Sequence, residues 1–176
     1  GLANTDGETI RVVMRIYDEN GRVSDNRYVD YLSGNERTVN FDVRLVPNRQ
    51  YTFVAWADQV ISRDDVDKYF VTSDLSKVTF SDDTWTEMNE NRDAYTATHT
   101  EANFTSASNI TLTLTRPFAK LRVVTTDMVD LKNLGIEPPF YATMSYTEAV
   151  PTSFNAISGT IGDIYDSEAK VFSKFE

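Results

Sequence analysis

The sequence contains no cysteine and a single histidine. The first absence excludes disulfides, thiol nucleophiles, iron–sulfur clusters and the common structural zinc sites. The second leaves His99, in TATHTEAN, as the one imidazole available for base catalysis. No serine stands in a G-x-S-x-G setting, so no nucleophile is matched to it. SGTIGD carries glycines but neither the lysine nor the following helix of a phosphate-binding loop. Positive charge is scarce. Lys and Arg number 17 against 27 Asp and Glu, a formal charge of -10, which suits neither nucleic acid nor anionic lipid headgroups. No apolar run approaches the roughly 20 residues of a membrane helix. The opening GLANTDGE has neither the basic nor the apolar region of a secretion signal.

What is present points to β-structure. Aromatic residues make up 12%, ten Phe and nine Tyr among them, and such side chains fill pleated surfaces well. In TIRVVMRIY the apolar Ile10, Val12, Met14 and Ile16 share one face, with Arg11 and Arg15 on the other, which predicts a half-buried strand. DENG turns the chain. TVNFDVRLVP alternates through Val39, Phe41, Val43 and Leu45 and is the cleanest strand pattern in the sequence. YTFVAWAD is apolar on both faces and belongs mid-sheet with cover on each side.

Further on, SRDDVDKYF reads as a short helical turn and SKVTF as a short strand. The polar stretch from Asp82 to Asn109 reads as loops, with one strand near Ala94 to Thr98. ITLTLT and FAKLRVVTT flank Pro117, DMVDLKNLG has the cap residues of a short helix, and PPFYATMSYT and KVFSKFE resume alternation. About seven or eight short strands with one or two short helices predict a single antiparallel Greek-key β-sandwich over residues 1–176.

One passage breaks its own rule. In LTLTRPFAKLRVVTT the apolar residues fall on even positions at Leu112 and Leu114 but on odd ones at Ala119, Leu121 and Val123. A change of parity turns every later side chain over, and a proline cannot donate to a ladder. Pro117 therefore reads as the point where the chain leaves one layer for the other, the alternative being one long strand with a bulge.

Candidates for chemistry are few. Asp64, Asp65 and Asp67, with Asp82 and Asp83, supply the hard oxygen ligands that calcium takes, but not at calcium-loop spacing, so they read as solvated acidic loops. Asn103 and Asn109 head glycosylation tripeptides. Trp56 lies in the most apolar strand and belongs to the core. Trp85, Tyr69 and Tyr95 are the candidate exposed aromatics for stacking on a sugar. No catalytic residue, metal site or cofactor is expected.

The sequence resembles the fimbrillin-type surface lipoproteins of Bacteroides at three places. These are GETIRVVMRIYDENGRV, LVPNRQYTFVAWAD, with Asn48 where a Gly is often found, and LTLTRPFAKLRVVTTD. The resemblance implies a transthyretin-like β-sandwich and a non-catalytic role. That role is a cell-surface, outer-membrane fimbrial (pilus) subunit or related adhesin, made as a lipid-anchored precursor and joined to other subunits by strand exchange. In that mode main-chain hydrogen bonds give affinity and alternate side chains fill core pockets. The family's lipidated cysteine and preceding strand are absent here. On this reading the chain is trimmed at one or both ends, and its assembly groove is expected along Ile10, Val12, Met14 and Ile16, or Val171, Phe172 and Phe175. Host or bacterial glycans or proteins are the expected adhesion targets. The alternative is a stand-alone glycan-binding surface lipoprotein.

Overall fold

The computed structural model describes residues 7–24, 26–81, 92–119, 124, 126–137, 143–145, 150–165 and 171–173. These contain the strands β1 (Thr9–Asp18), β2 (Tyr28–Tyr31), β3 (Arg49–Val60), β4 (Phe70–Val71), β5 (Val78–Phe80) and β6 (Tyr95–Phe104). The short helix α1 (Met128–Asn133) comes next. After it come β7 (Thr143–Ser145), β8 (Val150–Pro151), β9 (Ser153–Asn155), β10 (Thr160–Ile161), β11 (Ile164–Tyr165) and β12 (Val171–Ser173). The protein is an all-β sandwich. One antiparallel sheet has the order β2-β1-β3-β6 and the other β10-β9-β5-β4, while β8 pairs with β11 and β7 with β12. The count exceeds the expected seven or eight because many strands are only two or three residues long.

The first sheet is the centre of the molecule. β1 and β3 pair along their whole lengths, from Thr9 opposite Val60 to Asp18 opposite Tyr51. Alternation then sorts their side chains onto two faces. On one face, Val13, Tyr17, Val54 and Trp56 meet Tyr69, Phe70, Leu75, Val78 and Phe154 from the second sheet and its connections. The ring of Trp56 lies 5.3 Å from Phe70 and 6.2 Å from Phe154, the tilted and edge-on arrangements that aromatic quadrupoles favour. On the other face stand Ile10, Val12, Met14, Ile16, Tyr51, Phe53 and Ala57, all buried. Both faces of this sheet are therefore covered, as the two-sided apolarity of YTFVAWAD implies.

That cover corrects the half-buried reading of β1. Arg11 does not face solvent: its side chain is fully buried. The hairpin before β3 turns at Asn48, whose φ of 60° lies in the left-handed region. Asn adopts it more readily than most residues, so it stands in there for glycine. The Tyr51 hydroxyl secures the approach, donating to the Val46 carbonyl at 3.0 Å and accepting from its N–H at 3.2 Å. SRDDVDKYF forms bends rather than a helical turn, with Asp65 at φ 58°. β6 runs well past the expected Ala94–Thr98. Asp127 precedes α1 as read, but no side-chain cap bond forms there. Among the described residues, no helix is long and apolar enough to cross a membrane.

Candidate functional site: two unladdered segments over the first sheet

The outer face of the first sheet is covered by two extended segments that, among the described residues, join no sheet. Residues 39–45 alternate half-buried Val39, Phe41, Val43 and Leu45 with more exposed Asn40, Asp42 and Arg44. Residues 110–114 alternate half-buried Ile110, Leu112 and Leu114 with exposed Thr111 and Thr113. Val39, Phe41 and Leu114 pack on Ile10, Val12, Leu32 and Ala57. Phe41, Val43, Leu45, Ile110 and Leu112 pack on Met14, Ile16, Tyr51 and Phe53. The period of two is thus real and does bury alternate side chains. Yet among the described residues neither segment enters a strand ladder, apart from a bridge just beyond the second one, at Thr115.

Their placement follows from these contacts. Val39 lies at the Ile10 end of β1 and Leu45 at the Ile16–Tyr51 end, so the first segment runs alongside β1. Ile110 lies at the Tyr51–Phe53 end and Leu114 at the Ala57 end, so the second runs the opposite way. Phe41 meets Tyr28 of β2 with ring centroids 6.1 Å apart, which sets the first segment towards the β2 side. Thr115 exchanges two main-chain hydrogen bonds with Thr96 of β6, at 2.8 and 2.9 Å, which ties the second to the β6 side. The side chains of the two segments close the floor beneath, and among the described residues their main chains enter no ladder.

Pro117 is where the chain changes layers. Leu112 and Leu114 pack on the outer face, whereas Phe118 packs with the core on the inner face. Phe118 stacks on Phe70 at 6.1 Å and meets Phe154 edge-on at 5.4 Å. Between Leu114 and Phe118 the chain thus crosses around the β6 edge. Residues 120–123, the rest of that passage, lie outside the described residues.

On the inner side the sandwich is clamped by ions. Arg11 forms a paired fork with Asp58, Nε to Oδ1 at 3.0 Å and a second nitrogen to Oδ2 at 2.9 Å. It also donates to Asp65 and Asp67, both at 2.8 Å. Arg27 binds the other side of Asp65 and the carbonyl and hydroxyl of Thr72. Burial pushes the Asp58 carboxyl up to about 6, against the opposing pull of Arg11. Hydrogen bonding from Arg27 holds Asp65 below the usual carboxylate range. Two of the acidic residues read as solvated loop are therefore structural ligands of a buried guanidinium. Asp64 remains exposed, and Asp82 and Asp83 lie outside the described residues. No group of three or more metal-ligating side chains occurs among the described residues.

The other sequence candidates are placed as follows. Ile10, Val12, Met14 and Ile16 do not lie on a sheet edge, since β2 and β3 flank β1. They form the floor under the two segments. Val171 and Phe172 pair with Ser145 and Met144 in β12 and β7, while Phe175 lies outside the described residues. Tyr69 is not exposed. It is 3% accessible, inside the core, with its hydroxyl on Glu8 at 2.9 Å. Tyr95 is half-buried beneath the Arg116 guanidinium, 5.3 Å from its ring centre. Trp85 lies outside the described residues. His99 is an exposed strand residue 3.8 Å from Glu101. Sequence reasoning found the two segments as strands, while among the described residues they enter no ladder, because alternation reports which side is buried and not what lies alongside.

Over residues 2–175 the chain matches the model of a family described as "Family of unknown function (DUF6562)", and it belongs to that family. No curated protein and no solved structure matches it.

Proposed function

We propose that this member of the DUF6562 family is a non-catalytic structural subunit of the cell surface, assembled by β-strand complementation in a fimbria or a related adhesin. The observation that carries the reading is the pair of alternating segments, 39–45 and 110–114, packed on the first sheet without a ladder among the described residues. Extended chain that buries alternate side chains ordinarily pairs its N–H and C=O groups as well. A strand added beside these segments satisfies their N–H and C=O groups and extends the layer that covers the floor of Ile10, Val12, Met14 and Ile16. The three fimbrillin-like passages support the same reading, since two of them contain these segments wholly or in part and the third contains the floor strand. A transthyretin-like topology, a lipid-anchored precursor and an outer-membrane location belong to this proposal.

Among the described residues the sugar-binding alternative receives no support from its candidate aromatics, Trp85 lying outside them. Tyr69 is in the core and Tyr95 is partly covered by Arg116.

The test is to take the full-length protein from its own cell surface and run it on a denaturing gel with and without boiling. Strand-complemented assemblies are expected to survive detergent as a ladder or a high-mass species and to collapse to the monomer on heating. Monomer alone in unheated samples contradicts the proposal.

A further inference from the structure

Among the described residues most of the β6 edge of the first sheet is unpaired, and its chemistry is self-complementary. β6 is the outermost strand on its side. Thr96 turns both its N–H and its C=O outward to Thr115. In an antiparallel strand every second residue does the same, so Thr98 and Thr100 also present both groups outward. Among the described residues Thr115 is the one partner on this outer edge. Thr98, His99 and Thr100 are exposed. The bridge to Thr115 closes one end, and a register shift between Glu101 and Phe104, opposite Tyr51 and Arg49, closes the other. Between them lies a short stretch with neither lysine nor proline, the residues that usually protect an edge from pairing.

We propose that this edge, Thr98 to Glu101, pairs antiparallel with the same edge of a second copy of the chain, as a lateral contact separate from strand complementation. Charge selects the register. Outward-facing residues must oppose one another, which allows a two-fold centre on each of these four residues. The centre on Thr98 sets Thr96 against Thr100 and is blocked by the bridge from Thr96 to Thr115, which leaves three. Centring on His99 sets imidazole against imidazole, and centring on Glu101 sets carboxylate against carboxylate. Centring on Thr100 sets His99 of each copy opposite Glu101 of the other, the one alignment that opposes unlike groups. It also extends an existing contact. Thr52 and Thr100 already share a hydrogen bond of 2.9 Å between their hydroxyls, and the two-fold axis continues this row of threonines across both copies. An interface of this kind is isologous and closes at two subunits.

The absence of cysteine gives a clean test in the whole chain. In the proposed register Thr100 faces its own copy at about 5.5 Å between Cα atoms, within disulfide reach. Thr98 faces Ala102, so the two copies of Thr98 stand about 13 Å apart, beyond that reach. Mild oxidation of Thr100→Cys is expected to move the protein from the monomer to the dimer band on a non-reducing gel, while Thr98→Cys stays monomeric. Equal cross-linking of the two variants, or none with Thr100→Cys, overturns the proposal. Circular dichroism of both variants confirms that each is folded before oxidation.

Discussion

Arg11 shows how much one residue can conceal in a pattern. Its position between Ile10 and Val12 places it on the face opposite the floor, and alternation alone assigns that face to solvent. The assignment fails because the second sheet covers it. Arg11 then needs its three carboxylates, two of them drawn from a loop that charge alone marks as solvated. No local signal joins Arg11 to Asp58, 47 residues away; only the β1–β3 register does. A buried ion pair is costly to break, but replacing both partners with apolar residues is often close to neutral. Arg11→Met alone is expected to lower stability by about 3–5 kcal/mol, because it leaves the Asp58 carboxyl buried without its partner. Adding Asp58→Leu is expected to recover part of that loss, as read from urea denaturation of the single and double variants.

Among the elements, β3 was the most legible and the segment 39–45 the most misleading. Both have strong patterns. A strand apolar on both faces declares that it lies between two layers, and β3 does. Clean alternation declares only that one side is buried, and 39–45 meets that condition without a ladder. The change of layer at Pro117 was legible, since Leu114 and Phe118 pack on opposite faces, while Leu121 and Val123, which carry the change of parity, lie outside the described residues. That passage can be tested by comparing Phe118→Ala with Leu112→Ala. Phe118 packs against three rings of the inner core, those of Trp56, Phe70 and Phe154, with Phe80 alongside. Its truncation is expected to cost about 3 kcal/mol, the lower end for a phenylalanine in a core. Leu112, half-buried in the outer layer, is expected to cost less. Equal losses by thermal denaturation would mean that the outer layer carries as much of the fold as the inner core does.

For the whole molecule, the sandwich class was readable from composition, strand spacing and turn signals, whereas the site was not. Whether a segment is paired is a property of neighbours, and a single segment's alternation is the same with or without them. The central claim is that the outer layer of the isolated chain lacks a strand that assembly supplies. Amide hydrogen exchange, compared between the isolated monomer and the heat-dissociable assembly, tests it most directly. In the monomer, the amides of residues 39–45 and 110–114 are predicted to exchange much faster than those of β1 and β3. In the assembly they are predicted to become protected while β1 and β3 change little. Segments already as protected as β1 in the monomer, or still unprotected in the assembly, would contradict the account.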